Sequence, residues 1–410
     1  MKSRGSTFPY RAAGGFLIGP AFLSVVPFFI FPLLARLSDE GQWIAIGVGQ
    51  GVGLVASVIV GAGFNVTGPA EVAGRGIDER VELWRESVVT RLAAFLFVSP
   101  GAYLLADSLV KDAGSTAGLM AVAISSTGLS VQWFAVAVGD SKLILTCDVI
   151  PKVSSNLIGA ALAWGADELV LYPMTVLLGN LVGPLIATLA IGCGQSRTTV
   201  KSVIRRMRRN RRSVVIETVS GVYSSGAVPL FSFFGAGGAV LLFTSADRLV
   251  RLMSPAISIV GNVCRAWVAS ADEHSFAGRL KVAAFLHFFV GLCGMFFLIL
   301  MGPWMTAVLF GAEFAVGIDV MVPIGVYFFL WSLETVTSRH MLANMGGISH
   351  LYLITLTISI PGACALLVAG RYSGAVGGAW VLASVMATLV VSQAIAACTL
   401  WGRPETSTNP

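Results

Sequence analysis

Long apolar runs broken by short polar stretches dominate the chain, and twelve of them approach the roughly 20 residues that a membrane-crossing helix needs at 1.5 Å per residue. They fall at residues 12–35, 43–66, 89–110, 116–139, 150–166 and 170–193, and after a long polar interval at 214–235, 238–263, 282–303, 317–339, 349–370 and 374–401. The first run is too long for the apolar region of a secretory signal and has no small-residue cleavage site, so it reads as a span. The pattern predicts an all-α polytopic membrane protein with twelve transmembrane helices in two six-helix bundles. Residues 1–194 would form the N-terminal bundle, 195–213 a cytoplasmic basic linker, 214–402 the C-terminal bundle and 403–410 a cytoplasmic tail. Equal span counts predict two halves related by a pseudo-two-fold axis, on span count alone, since no strong residue identity links them. In transporters so built, the substrate site lies between the halves near mid-membrane.

Composition closes off the soluble alternative. Of 410 residues, 12% are charged and 56% hydrophobic, with a mean hydropathy of +0.82, whereas a soluble domain carries about 25% charged residues. The net charge of +6 gains meaning only when placed along the chain. With the N-terminus in the cytoplasm, 22 of the 27 Lys and Arg lie on cytoplasmic segments, beginning with Lys2, Arg4 and Arg11 and ending with Arg403. Only Arg36, Lys111 and Arg371 fall outside, so the positive-inside rule predicts two cytoplasmic termini. Eight of the basic residues lie between Arg197 and Arg212. They would orient the chain as a solvated linker, or also hold anionic lipids at about 1 kcal/mol per basic residue near the surface.

The same residues narrow the chemistry. Six Cys without a CxxC and four His without ligand spacing predict neither a metal site nor another cofactor. There is no glycine-rich phosphate loop ending in Lys-Ser/Thr, no Asp-x-Asp pair and no long extracytoplasmic segment. An enzyme and an ATP-driven pump are both disfavoured, no nucleic-acid partner is expected, and secondary transport remains.

Several motifs resemble the polysaccharide flippases of the multidrug/oligosaccharidyl-lipid/polysaccharide exporter superfamily. Gly63-Phe64-Asn65-Val66-Thr67-Gly68-Pro69 is similar to that family's Gly-aromatic-Asn-x-Thr-Gly-Pro turn, although the family often has a basic residue where Ala70 or Glu71 stands. Trp133-Phe134, Gly139-Asp140 and Ile150-Pro151-Lys152 resemble its Trp-aromatic, Gly and Leu-Pro-Arg pattern. Ala246-Asp247-Arg248-Leu249 and Leu309-Phe310-Gly311-Ala312-Glu313-Phe314 extend the likeness over most of the chain. The resemblance implies a bacterial inner-membrane flippase that moves an undecaprenyl-linked oligosaccharide outward by alternating access, for polysaccharide biosynthesis. Partners of a polysaccharide assembly complex would accompany it.

Arg248 lies about 15 Å into the eighth span, taken from Gly238 at 1.5 Å per residue, with Arg251 beside it. Their i, i+3 spacing puts both on one helix face, and charges at that depth turn toward a cavity or a partner. Guanidinium forks match phosphate oxygens and stay protonated, which suits the pyrophosphate of a polyprenyl-linked glycan. The alternative is a fixed ion-pair network with Asp247 and another acid. Gln50, Asn65 and Gln132 offer amides for sugar hydroxyls, and Ser125, Ser126, Thr127 and Ser130 add hydroxyls that serve either a glycan or a neighbouring helix. Gly47, Gly49, Gly51 and Gly53 mark close helix packing or a cavity wall.

Among acids in spans, Glu334 is the foremost coupling candidate, able to bind H⁺ or Na⁺, with Asp247 and Asp319 behind it; its competing role is a partner for Arg339 or Arg265. His287 reads as a satisfied polar side chain facing another helix. Prolines within spans, among them Pro20, Pro184, Pro323 and Pro361, predict bent helices. A multidrug/cation antiporter of the same superfamily would centre its site on acids, against the positive charge here. A non-transporting scaffold of a polysaccharide assembly complex is the third reading.

Overall fold

The computed structural model describes residues 25–72, 75–192 and 199–401. Lys2, Arg4, Arg11 and Pro20, the start of the first expected span, Arg197 and the expected tail 403–410 with Arg403 lie outside the described residues. The described elements are all helical, and the chain divides into two compact units, Met1–Gly221 and Val222–Pro410.

In the first unit, α1 (Val25–Leu37) leads through Ser38 into α2 (Glu40–Val60). Asp39 starts α2 with a reciprocal cap: its Oδ1 accepts the Gln42 N–H at 2.7 Å, and its own N–H donates to Gln42 Oε1 at 3.2 Å. Beyond Gly61, the left-handed Ala62 (φ 50°) and Gly63 (φ 74°) turn the chain into α3 (Phe64–Val72). Then come α4 (Ile77–Leu109), α5 (Gly114–Ser125), a 3₁₀ turn (Ser126–Leu129) and α6 (Gln132–Val138). A short α7 (Ser141–Ile144) passes through a π turn (Leu145–Val149) into α8 (Ile150–Ala166), followed by α9 (Leu171–Ile191) and α10 (Val200–Ser224). Helix α2 packs on α5 with almost no space between backbones. A Cβ added at Gly53 would stand 2.6 Å from Ile124 Cβ and 2.7 Å from the Ala121 carbonyl oxygen. Close packing is therefore the role of Gly53, and likewise of Gly49 against Ala117 and Met120.

The second unit contains α11 (Ala227–Ser232), α12 (Gly237–Ala269), α13 (Glu273–Phe310), α14 (Ile318–Thr335), a π turn (Val336–Leu342), α15 (Ile348–Tyr372) and α16 (Gly374–Trp401). Asp272 caps α13 by accepting the Ser275 N–H at 2.9 Å. Helix α13 packs between α12 and α14, while α16 packs on α14 and α15. Phe231 of α11 stacks on Phe243 of α12 with ring centroids 4.4 Å apart.

Ten described helices are long and apolar enough to cross a membrane. Helix α15 buries only 17% of its most apolar stretch, and Phe97, Leu189 and Phe285 stand exposed on α4, α9 and α13; such outward apolar faces need lipid rather than water. The first and seventh expected spans correspond to α1 and to α10 with α11. Residues 200–213, expected within a linker, are instead helical and run unbroken into the expected seventh span. Arg and Lys are good helix formers, and neither Gly nor Pro occurs between Val200 and Ser220. The break comes later, at Ser225 and Gly226. Similarly α4 begins at Ile77 rather than 89, because the polar stretch before the apolar run continues the helix. Pro184, Pro323 and Pro361 stand inside the continuous helices α9, α14 and α15.

Candidate functional site

Helix α12 carries Arg248 and Arg251, the arginines expected at mid-span, and its amphipathic pattern turns one polar face inward. Thr244, Ser245 and Arg248 are buried on it, Arg248 at 1% exposure. Arg251 follows one turn later. Its Nε donates to Asp247 Oδ2 at 2.5 Å, and its Nη2 donates to the backbone oxygen of Ser225 at 3.3 Å. Asp247 is thus the partner of Arg251, as the ion-pair alternative anticipates, with its side chain at 15% exposure and that of Arg251 at 23%. Tyr327 of α14 stands within electrostatic range of Asp247, Arg251 and Glu334.

Glu334 occupies the last turn of α14. Gln393 of α16 donates Nε2 to Glu334 Oε1 at 3.1 Å, and Gln393 Oε1 accepts the Thr337 hydroxyl at 2.6 Å. The hydrogen bond to its carboxylate therefore comes from an amide, while Arg339 and Arg265 stand exposed. Asp319 lies exposed in the first turn of α14, apart from this chain of groups.

In the first unit the three expected amide residues fall in two settings. Asn65 and Gln132 are exposed on α3 and α6. Gln50 lines a cavity of about 160 Å³ together with Thr127, Lys152, Asn156, Tyr172 and Asn180. Lys152, an orientation charge and the last residue of the Leu-Pro-Arg-like motif, stands here as a cation in the first turn of α8. Its Nζ is 2.7 Å from Asp148 Oδ1, which also accepts the Ser130 hydroxyl at 2.6 Å. Gln132 joins this chain through its backbone N–H, which donates to Ser130 Oγ at 3.1 Å. Tyr172 Oη donates to Asn156 Oδ1 at 2.7 Å. Ser125, Ser126 and Thr127 spend their hydroxyl hydrogens on carbonyls of their own helix turn. The signal for Lys152 was present in sequence, as a lysine one residue past a proline at the start of an apolar run.

The Gly63–Pro69 motif has a structural role. Phe64 is buried beside two guanidinium groups, 5.9 Å from Arg91 and 5.0 Å from Arg206 measured to its ring centroid. Arg91, at 1% exposure, also faces Trp84 and Trp133 and donates Nη1 to the carbonyls of Gly128 and Ser130 at 3.2 and 2.7 Å. Cation–π contacts reach about 2 kcal/mol when desolvated, so the cluster of Phe64, Trp84 and Trp133 replaces part of the water that Arg91 gives up. Gly68 lies flat on the Trp133 ring, where any Cβ would collide. Arg206 of α10 binds two carboxylates, Glu71 at 2.7 Å and Glu86 at 2.8 Å, and Arg209 adds a bridge to Glu71 at 2.6 Å. Among the described residues, no group of three or more His, Cys, Asp or Glu is placed to hold a metal ion.

No protein-family model matches the chain. It is similar to a putative O-antigen transporter of Shigella dysenteriae, 19% identical over 341 residues that cover 80% of this chain and 85% of that one. Among solved structures it resembles the lipid II flippase MurJ in an inward closed conformation, with a TM-score of 0.70 and 14% identity over 93% of this chain and 86% of that one. It also resembles an inward-facing multidrug resistance MATE family transporter of the MOP superfamily, with a TM-score of 0.63 and 14% identity over 92% and 98% of the two chains. The resemblance read from the motifs is borne out in this O-antigen relative, and the fold is the one shared by the MATE and MurJ transporters.

Proposed function

We propose that the protein is a flippase that carries an undecaprenyl-pyrophosphate-linked oligosaccharide from the inner to the outer leaflet of a bacterial cell membrane, by alternating access, for polysaccharide biosynthesis. The observation that carries this reading is the arginine pair of α12, with Arg248 buried and Arg251 one turn on in an apolar helix. A guanidinium in that setting attracts a diphosphate and repels a cationic drug. The Asp247 carboxylate that now neutralises Arg251 occupies the fork that a phosphate oxygen would take. Arrival of the diphosphate exchanges one anion for another, so no bare cation is exposed at any step. The O-antigen relative and the structural likeness to a lipid II flippase support the same substrate class.

In this reading Gln50 and the cavity it shares with Lys152, Asn156, Tyr172 and Asn180 serve the first unit, while the exposed amides of Asn65 and Gln132 meet sugar hydroxyls. Glu334, with Asp247 and Asp319 behind it, binds the coupling H⁺ or Na⁺. Both termini are cytoplasmic, and the exposed Lys201, Arg205 and Arg208 of α10 lie against anionic lipid headgroups. The test is reconstitution in liposomes with a fluorescent polyprenyl-diphosphate disaccharide in one leaflet. Protein-dependent appearance of the sugar in the other leaflet supports the reading; movement of cationic dyes in place of the sugar supports the antiporter instead.

A further inference from the structure

The second unit buries two imidazoles against each other. His287 stands within α13 and His340 in the π turn Val336–Leu342. Both are fully buried, and their Nε2 atoms lie 3.3 Å apart.

Ser332 decides which nitrogen carries hydrogen. A hydroxyl has one proton to give, and Ser332 gives it to the backbone carbonyl of His287 at 2.8 Å. Its Oγ must then accept at the 3.1 Å contact with His287 Nδ1, so His287 carries its hydrogen on Nδ1 and leaves Nε2 bare. The contact between the rings therefore uses a hydrogen on His340 Nε2, and His340 Nδ1 is left as a lone pair. That nitrogen is buried and has no hydrogen-bond partner. It is the one ring nitrogen of the pair whose lone pair or hydrogen is not already engaged, so an arriving proton binds there.

We propose that His287 and His340 form a binding site for one proton, taken from water at Nδ1 of His340 and held along the Nε2–H···Nε2 contact, and that this proton helps drive the transport cycle. The coupling rests on the transporter reading above; the binding of the proton does not. A second proton has no place, because His287 could take it only at Nε2, donor facing donor and charge facing charge across 3.3 Å.

The charged groups that face the pair are Arg265 from α12 and Arg339 from the π turn itself. Helix α12 also presents Gly261, where an added Cβ would lie 3.8 Å from His287 Cε1. Ser332 and Thr335 come from α14, Gln393 from α16, and α15 begins with the exposed His350. The π turn also holds Thr337, which donates to Gln393, which in turn donates to Glu334. A charge on His340 thus falls on the short segment that positions Glu334, and π turns recur at functional sites.

The test uses the full-length protein in liposomes, labelled with ¹⁵N-histidine and carrying His274→Gln and His350→Gln, so that only the two buried rings report. At alkaline pH the expected spectrum has two N–H and two bare nitrogens. Acidification from about pH 8 to about pH 4 is expected to convert one bare nitrogen, with one proton bound per chain. Two independently titrating rings, or no proton uptake over that range, would overturn the site. Ser332→Ala frees His287 Nδ1 and is expected to mix the tautomers while leaving both rings in place; an unchanged pattern would overturn the assignment. For coupling, glycan movement by the wild type should follow an imposed pH gradient, and correctly inserted His340→Gln should lose at least about tenfold of that response. A response that His340→Gln retains overturns the coupling. One-proton titration in vesicles that move no fluorescent disaccharide supports the site and sinks the substrate reading alone.

Discussion

Arg251 donates Nε to Oδ2 of Asp247 at 2.5 Å, one helical turn along α12. The pair makes Arg251 a guarded cation whose anion can be exchanged, beside an Arg248 that is buried outright.

Arg248→Ala or Arg251→Ala is expected to abolish glycan export while leaving the protein inserted, since losing one partner of a buried charge contact costs on the order of 2–5 kcal/mol. Arg→Lys should rescue poorly for want of the planar fork. Asp247→Asn should leave substrate capture in place and weaken the return step, where the carboxylate must recover Arg251. Surface display of the polymer, measured at matched protein abundance, checks all three. Full display from the double alanine variant would sink the phosphate-clamp reading.

Glu334→Gln keeps the shape that Gln393 grips and removes the charge. It should slow cycling and blunt the response to an imposed H⁺ or Na⁺ gradient without weakening substrate capture, because an ion shifts a two-state equilibrium only by its differential affinity for the states. Transport in proteoliposomes under each gradient separates the cases. A variant that retains both rate and gradient response makes the acid structural.

Arg206 is buried, whereas Glu71 and Glu86 are 18% and 30% exposed. Arg206→Ala leaves both carboxylates short of their main cation and should destabilise the first unit by about 3 kcal/mol. Thermal unfolding followed by intrinsic fluorescence is a suitable measure, given Trp84 and Trp133 beside the site. Arg209→Ala removes a bridge whose arginine is 58% exposed and should cost under 1 kcal/mol.

Gly53→Val places a branched side chain against the α5 backbone. Overpacking costs about 1–3 kcal/mol, with lower abundance and earlier unfolding as the expected result. Gly237→Ala, where an added Cβ meets nothing within 4 Å, is the matched control and should be silent.

Ser202, half-buried on α10, reports orientation. A cysteine placed there should resist impermeant thiol reagents applied to intact cells and react after permeabilisation. Labelling from outside would invert the assigned topology.

Hydropathy alone fixed the class of the protein and the positions of its helices, because a segment that buries its backbone in lipid must be both helical and apolar for about 20 residues. It did not register how far the helices continue past the apolar window. Polar stretches such as 77–88 and 200–213 extend neighbouring helices, since helix propensity does not end where hydropathy falls. The spacing of Arg248 and Arg251 was equally legible, as it is a property of one helix.

Tertiary structure alone decided what each charge meets. Arg91 and Arg206 counted in sequence as orientation signals, yet with guanidinium groups 5.9 and 5.0 Å from the Phe64 ring they anchor the core of the first unit. Lys152 and Asn180 share a cavity with Gln50, and His287 meets His340 across 53 residues of chain. Periodicity places a side chain on a face of its own helix; which helix lies opposite depends on packing among many faces at once. The pairing of two buried imidazoles therefore leaves no trace in the spacing of either.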